Sequence, residues 1–341
     1  MKILMYNTRD DEKAAIKQWV ADNNIQVDMN DVPLSDETAK LAAGYDGIIT
    51  QQHGSIGSEQ VYKTLSSLGI KQIGLRITGF EIVDLELATK YGLKVTNVPA
   101  YSPRSVGELV LAHTMWLVRH MGVVSEREKV GDFTWTGIQS REIHDLTVGI
   151  IGVGKIGSAV ARLFNALGAK IIAADPIKRP EISDIVEYVS HEEVFRTADV
   201  VTLHTPLTEE THHMINERTL SLMKPTAFLI NASRGPVIDT PALLAALKSG
   251  EIAGAALDTF EGEQTVVNQD LTETGLNDPV LKELFAMPNV NVSPHIGFYT
   301  DVAVSNMITI SLDNVVLILK GNGDGHLVNP AVLNRGEVVT K

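Results

Sequence analysis

Glycines at 152, 154 and 157 write G-x-G-x-x-G in the stretch IIGVGKIG, after almost half of the 341-residue chain has gone by. Alone the pattern is weak, and its neighbours decide what it means. LTVGII, Leu146 to Ile151, is a short β-branched run in front of it. Behind it Ile156, Val160, Leu163 and Leu167 recur at helical spacing, up to a Gly168 placed as a helix C-cap. KIIAAD then reads as a second buried strand ending in Asp175, 18 residues past the third glycine. Strand, glycine turn, helix, strand and acid together make the βαβ unit that holds a dinucleotide. Gly152 allows the tight turn, Gly154 lets backbone approach a pyrophosphate, and Gly157 lets the helix lie close on the strand. The pyrophosphate would rest on free N–H groups at the positive end of the helix dipole. Asp175 is expected to accept hydrogen bonds from the adenosine ribose hydroxyls and to repel a 2′-phosphate, favouring NAD over NADP. The competing reading is a glycine-rich turn with no ligand.

The α/β rhythm continues on both sides of this unit. ADVVTLH to His204, TAFLINAS to Ser233, AGAALD to Asp258 and NVNVSPH to His295 look like buried strands. TPALLAALKSG between them reads as a helix with Thr240 as N-cap, Pro241 at its first position and Gly250 as C-cap. The first hundred residues carry their own strand-like runs, KILMY, YDGIIT, KQIGLR and LKVTNV, with helical stretches such as Asp36 to Ala43 and Ile82 to Tyr91, and no glycine fingerprint. An amphipathic stretch, Ala303 to Lys320, closed by Gly321, has no strand after it to feed, so it is expected to return to the first domain. The fold class is therefore α/β with two doubly wound parallel-sheet domains. A discontinuous, flavodoxin-like substrate domain takes residues 1–100 plus 299–341, and a Rossmann NAD domain takes 101–298. Two crossings, near Pro99 to Ser102 and Ser293 to Tyr299, would make a cleft with a two-strand hinge that closes over substrate.

Composition narrows the partners. No apolar run approaches the ~18 residues of a membrane helix, and MKILMYNTRDDEK lacks the apolar core of a signal peptide, so the protein is expected to be cytoplasmic. Zero cysteines exclude disulfides, thiolate metal sites and a cysteine nucleophile. A net charge of -13 repels phosphate backbones and anionic lipid, which argues against nucleic acid and membrane partners. The ten histidines show no H-E-x-x-H or similar ligand spacing, so no catalytic metal is expected. SVGELVLAHTMWLVRHM opens with Ser105 and Glu108 in capping-box register and is too apolar to expose all round, so part of it should meet a symmetry mate.

Ligands of open α/β sheets bind outside the carboxyl ends of the strands, and three side chains stand out there. Arg234 follows INAS, His295 follows NVSP, and Glu263 lies in DTFEGE, five residues beyond Asp258. Reduction of a 2-keto acid needs a hydride donor, a cation to polarise carboxylate and carbonyl, and an acid to protonate the new alkoxide. NADH, arginine and histidine supply those parts, and a carboxylate beside the histidine would hold its tautomer and raise its pKa. Each residue also has an ordinary reading: a surface ion pair, a satisfied buried histidine, a solvated loop charge.

At this point the sequence resembles the D-isomer-specific 2-hydroxyacid dehydrogenases, and within them the D-lactate and D-hydroxyisocaproate dehydrogenases of lactic acid bacteria. The resemblance runs nearly end to end, through MYNTRDDEK, NVPAYSPRSVGE, VGIIGVGKIGSAVA, LHTPLTEETHHMIN, INASRGPVIDT, ALDTFEGE and PNVNVSPHIGFYT. It implies that Arg234 anchors substrate, Glu263 supports the histidine, and His295 gives or takes the proton. It further implies that Lys155, Ile156, Asp175, Thr205, Pro206, Thr211, Ala232, Ser233, Arg234 and Asp258 line the NAD site, several through backbone. On the substrate side it implies that RITGF, around Thr78 and Gly79, holds the carboxylate and that Tyr101 walls the pocket; dimeric relatives imply a homodimer. Phe298 and Tyr299 are expected to wall an apolar side-chain pocket. Departures fall on the substrate side. Gly79, Phe80, Glu81 stand where the family often has G-x-D, and Thr50, Gln51 and Gln52 stand where D-lactate enzymes often carry a tyrosine. Lactate is therefore one expectation beside larger aliphatic or aromatic analogues, with a non-enzymatic NADH sensor of the same fold as the other alternative. Formate dehydrogenases of this architecture typically have glutamine at Glu263, L-lactate and malate dehydrogenases begin with the glycine motif, and phosphoglycerate dehydrogenases usually add a regulatory domain.

Overall fold

The structure, a computed structural model, describes residues 1–52, 54–323 and 325–329; the expected substrate-domain stretch beyond 329 lies outside them. The chain gathers into two compact units: Met1–Ser102 with the return segment that starts at Tyr299, and Pro103–Phe298.

In the first unit β1 (Lys2–Met5), β2 (Gln26–Met29), β3 (Gly47–Thr50), β4 (Gln72–Leu75) and β5 (Lys94–Thr96) pair in parallel in the order β2-β1-β3-β4-β5. This is the flavodoxin-like order. Every residue of β3 and β4 is buried, as expected of parallel strands covered on both faces. Helix Asp301–Lys320 covers one face, laying Ile308, Leu312 and Val315 against Ile3, Met5 and Ile49. A Cβ at Gly74 would come within 2.8 Å of Val315, so the helix rides on the strand where no side chain intervenes. One expectation from composition needs correcting: this helix is long and apolar enough, by length and composition alone, to cross a membrane. Half of that window is buried inside the fold, and Asp313 accepts the Trp19 indole N–H at 2.9 Å. Its apolarity therefore serves the sheet it covers.

Arg76, just past β4, is fully buried. Its Nε meets Glu12 Oε1 at 3.0 Å and its Nη2 meets Glu12 Oε2 at 3.1 Å, while Nη1 and Nη2 also donate to the carbonyls of Tyr6 and Asn7. One side chain thus ties the exits of β1 and β4 to the turn that launches helix Lys13–Asn23.

The second unit holds β6 (Thr147–Ile151), β7 (Lys170–Ala174), β8 (Glu187–Tyr188), β9 (Val200–Leu203), β10 (Phe228–Asn231), β11 (Gly254–Leu257) and β12 (Val290–Val292). All pair in parallel, in the order β12-β11-β10-β9-β6-β7-β8. The order reverses between β6 and β9, the switch point at which a dinucleotide binds in this architecture. Two parallel-sheet α/β units with a Rossmann-type second unit are thus present, as the sequence leads one to expect.

Local details differ. Asp239, not Thr240, is the N-cap of helix Thr240–Ser249; its carboxylate accepts from the Ala242 N–H, because an acid accepts this bond as well as a hydroxyl does. Helix Pro103–Val118 starts upstream of Ser105, so the expected capping box does not form. Ser105 instead donates to the Gly297 carbonyl at 2.6 Å, and Glu108 pairs with Arg104 one turn back. The helix expected over Asp36 to Ala43 is only a 3-10 turn, Ala39–Ala42.

Candidate active site

At the glycine turn, Gly152 takes φ +89°, and a Cβ there would sit 2.7 Å from the His204 carbonyl. A Cβ on Gly157 would strike the Gly152 carbonyl at 2.1 Å, which enforces the close packing of helix Lys155–Ala166 on β6. Gly154 differs: nothing lies within 4 Å of where its Cβ would be. It is the N-cap of the helix and offers no side chain, so the first N–H groups, from Lys155 on, have no capping side-chain acceptor. Open backbone at a helix start suits a pyrophosphate. Asp175, one residue past β7, turns its carboxylate toward this loop, accepting from the Val153 N–H at 2.5 Å and the Ile177 N–H at 2.7 Å. Each oxygen keeps a second lone pair for a ribose hydroxyl. Beyond β9 the Thr205 hydroxyl is buried without a partner, and Thr211 closes the next turn by donating to the Pro206 carbonyl. These residues fit NAD.

The three expected catalytic side chains leave three neighbouring strands. Arg234 follows β10, Glu263 follows β11 and His295 follows β12, and these strands are adjacent at one edge of the sheet. His295 Nδ1 lies 3.1 Å from Glu263 Oε1, and Glu263 Oε2 accepts the Phe260 N–H at 3.1 Å. Burial lowers the His295 pKa, but the hydrogen bond and charge of Glu263, with help from Asp258, outweigh burial and the opposing Arg234 charge. The imidazole is held above its ordinary value. Its backbone is left-handed at φ +57°, unusual for a residue with a side chain, and such strain gathers at functional sites.

The strand-end loops are bound to one another. Asn231 donates to the carbonyls of Arg234 and Thr259 and accepts from the N–H and hydroxyl of Ser233, which locks the loops after β10 and β11 together. Ala232 and Ser233 sit in that locked loop, and Arg234 Nη1 donates to the Ser233 carbonyl. Asp258 is almost fully buried and turned toward the loop after β12: Oδ1 accepts from Ser293 Oγ and the Ile296 N–H, and Oδ2 from the Gly297 N–H. The sequence singled out Asp258 as an NAD contact; its carboxylate is engaged in shaping the His295 turn. Asn231, Ser293 and His113 were not singled out. Strand-end position marks the first two, whereas nothing local marks His113, whose partners lie about 180 residues away.

On the first unit Thr78 is pinned by its hydroxyl to the Val98 carbonyl, and the Asn97 amide donates to the Thr78 carbonyl. A Cβ on Gly79 would lie 2.4 Å from a Glu81 carboxylate oxygen. The Tyr101 carbonyl accepts from Asn306, and the Tyr299 ring lies 6.0 Å from the Arg9 guanidinium. Gln52 is engaged in its own loop, donating to the carbonyls of Leu34, Gly54 and Ser55, whereas Gln51 Oε1 is buried without a partner. Phe298, in the second unit, stands edge-on to His295 with ring centres 6.5 Å apart.

Among the described residues His212, His213 and Glu261 bring possible metal-ligand atoms within 4.8 Å of one another. The Glu261 carboxylate is already taken up by His213 Nε2 at 2.7 Å and by the Thr240 N–H.

Comparison with known proteins agrees with this geometry. The family description "D-isomer specific 2-hydroxyacid dehydrogenase, NAD binding domain" matches residues 111–297. A D-2-hydroxyacid dehydrogenase (NAD(+)) of Clostridioides difficile is 40% identical over 332 residues, 96% of this chain and 100% of that protein. The solved structure of a D-lactate dehydrogenase from Sporolactobacillus superposes with a TM-score of 0.89 at 53% identity, covering 96% of this chain and 99% of that one. An NAD complex of a D-isomer specific 2-hydroxyacid dehydrogenase from Lactobacillus delbrueckii ssp. bulgaricus gives 0.89 at 43% identity, covering 96% and 100%. With the glycine turn and Asp175 fitting the cofactor, and an arginine, a glutamate and a histidine at three adjacent strand ends, the chain belongs to the NAD-dependent D-isomer specific 2-hydroxyacid dehydrogenase family.

Proposed function

We propose that the protein acts as a D-lactate dehydrogenase, reducing pyruvate or a somewhat larger 2-keto acid to the D-2-hydroxy acid, with His295 as the general acid and base. The observation that carries the residue roles is the His295–Glu263 pair, 3.1 Å apart at the exits of adjacent strands, with Arg234 at the exit of the next. NADH, when bound, supplies the hydride for the keto carbon. Glu263 accepts the Nδ1–H, so the proton available for transfer is the one on Nε2. That proton goes to the carbonyl oxygen as it gains charge, leaving a neutral imidazole still held by Glu263; oxidation of the hydroxy acid runs the same transfer backwards. Arg234 is assigned to the substrate carboxylate and carbonyl through its guanidinium fork. Thr78, Gly79, Tyr101 and Tyr299 of the first unit are assigned to substrate recognition. Gln51, with its unpartnered Oε1, is a candidate for reading the substrate's side chain. The 53% identity to a D-lactate dehydrogenase favours lactate over the isocaproate and aromatic alternatives. Steady-state rates with pyruvate, 2-ketoisocaproate and phenylpyruvate test this: a kcat/KM for phenylpyruvate far above that for pyruvate would overturn the lactate assignment.

Cofactor choice gives a sharper test. Asp175 is expected to make NADH the better substrate by a wide margin over NADPH, and Asp175→Ala should narrow the ratio of their kcat/KM values. Lys178 and Arg179 are close in sequence, but the Arg179 Nε is engaged with the Val153 carbonyl. Equal use of both cofactors by the unaltered protein would sink the assignment of Asp175.

We also infer a cytoplasmic homodimer. Use of NADH, an intracellular reductant, supports the location. Helix Pro103–Val118 buries Val106, Val110, Leu117 and Val118 but leaves Met115 exposed, and the segment after it exposes Val130, Phe133 and Trp135 at 77–84%. Apolar side chains this open and this close in sequence support a partner surface. Sedimentation at micromolar concentration should give a dimer, and Trp135→Glu should shift it toward monomer; a monomeric unaltered protein would refute the reading.

A further inference from the structure

Behind His295 lies a row of hydrogen bonds in which every proton has a place. The Asn291 amide Nδ2 lies 2.9 Å from His113 Nδ1, His113 Nε2 lies 3.0 Å from Ser293 Oγ, and Ser293 Oγ lies 2.6 Å from Asp258 Oδ1. Asn291 donates through its amide nitrogen and an ionised carboxylate only accepts, so the row has one direction. Ser293 gives its single proton to Asp258, and its lone pair takes the His113 Nε2–H. His113 Nδ1 takes the Asn291 N–H. Only a neutral imidazole carrying its proton on Nε2 satisfies both ends. Burial within helix Pro103–Val118, with 3% of the residue exposed, lowers the His113 pKa against the opposing charge of Asp258, which suits that form.

The far end of the row is the turn that presents His295. Asp258 takes the N–H groups of Ile296 and Gly297 at 2.8 Å each, while the His295 N–H goes to the carbonyls of Asp258 and Ser293 at 3.0 Å. Ser105, from the same helix as His113, holds the Gly297 carbonyl. A Cβ on Gly297 would lie 2.8 Å from Asp258 Oδ2, so the turn is pressed directly onto the carboxylate. A left-handed residue with a side chain keeps its conformation only while its surroundings over-determine it. Here those surroundings are a carboxylate whose own orientation is set by Ser293, and Ser293 by His113.

We propose that His113 is a positioning residue for the dehydrogenase reaction, acting through Ser293 and Asp258 on the backbone turn that aims His295 at the substrate oxygen. The proposal rests on the reading of His295 as proton carrier. His113 itself touches neither cofactor nor substrate in this role.

The test compares His113→Phe, which keeps a ring but loses both hydrogen bonds, with His113→Gln, whose amide can donate to Ser293 and accept from Asn291. With pyruvate and NADH, His113→Phe is expected to lower kcat by about 10- to 100-fold, the scale of a slightly misplaced catalytic group. Its pH profile for reduction should move to lower pH as the His295–Glu263 hydrogen bond loosens, with NADH affinity within about twofold of the unaltered protein. His113→Gln should recover most of the rate and the pH profile. Ser293→Ala should reproduce the loss, Ser293→Thr should not, and Ser293→Ala on top of His113→Phe should add little, because both cut one row. Should His113→Phe fail to fold, the Ser293 pair carries the test alone. Unchanged kcat and pH profile in His113→Phe, equal damage in His113→Phe and His113→Gln, or full additivity with Ser293→Ala would each overturn the proposal. His295→Gln, measured in parallel, separates the two levels. Loss there with an intact His113→Phe removes only the positioning role, whereas near-normal turnover in His295→Gln removes the acid–base reading beneath it.

Discussion

His295→Gln should cut turnover with pyruvate by on the order of 10² to 10⁴, the usual size of a lost general acid, while NADH binds nearly as before. The amide can keep a hydrogen bond to Glu263 but has no proton to give at neutral pH. With His295 as the proposed proton carrier, reduction in the unaltered protein requires the imidazolium and oxidation requires the imidazole. Reduction should therefore fade as pH rises through the His295 pKa, and oxidation should gain over the same range. Because Glu263 is what raises that pKa over the opposing effect of burial, Glu263→Gln should carry both profiles toward lower pH. At neutrality this variant should be hurt more as a reductase than as an oxidase. Near-normal turnover with an unshifted profile in His295→Gln would leave only a nucleotide-binding site. Arg234→Gln separates itself from both by raising KM for the keto acid as well as lowering kcat, since it removes a charge-assisted contact made before the proton moves.

The second large effect lies far from the chemistry in sequence. Glu12→Gln should destabilise the first unit by about 3–5 kcal/mol, because it leaves the Arg76 guanidinium buried with its charge uncompensated. Removing both charges, as in Glu12→Gln with Arg76→Met, should cost less than Glu12→Gln alone, since an apolar side chain of similar length needs no partner. Urea unfolding followed by Trp19 fluorescence, with Trp116 and Trp135 replaced by Phe in every variant compared, checks this, because Trp19 lies in helix Lys13–Asn23, next to the turn that bears Glu12. A Glu12→Gln midpoint within error of the unaltered protein would show that the pair is not holding the unit together.

Much of this architecture can be read from residue order alone, for identifiable reasons. Parallel strands buried on both faces are written as unbroken apolar runs, so KIIAAD, ADVVTLH and TAFLINAS stand out without any alignment. Two of the four edge strands are not written that way. Gln26–Met29, QVDM, alternates with polar residues, and Glu187–Tyr188 has only two, so neither strand announces itself. Arg234 and His295 can be read as candidates because a polar residue shortly after an apolar run marks a strand exit, the place where this architecture binds ligands; Glu263 lies further along the loop that follows Gly254–Leu257. Ser105 and Glu108 show the opposite case. Their spacing carries a genuine local signal, yet Pro103 starts the helix earlier and the serine is turned to the Gly297 carbonyl by a contact across 192 residues. The row from His113 to Asp258 is invisible for the same reason: its meaning lies in what two strand-end loops and one helix bring together, and each member alone reads as an ordinary buried polar residue.

The first unit borrows Ile308, Leu312 and Val315 from the far end of the chain to cover Ile3, Met5 and Ile49, nearly three hundred residues upstream. During synthesis from the N-terminus, that face of the first sheet, covered only in part by Ile16 and Trp19 of helix Lys13–Asn23, must therefore wait while the whole of Pro103–Phe298 is made. The nucleotide-binding unit has every strand of its sheet in hand before the covering helix leaves the ribosome. The nascent protein then joins a Rossmann unit with all its strands to a half-covered, aggregation-prone sheet face, which ties the safe maturation of this enzyme to how fast the twenty-residue helix Asp301–Lys320 arrives.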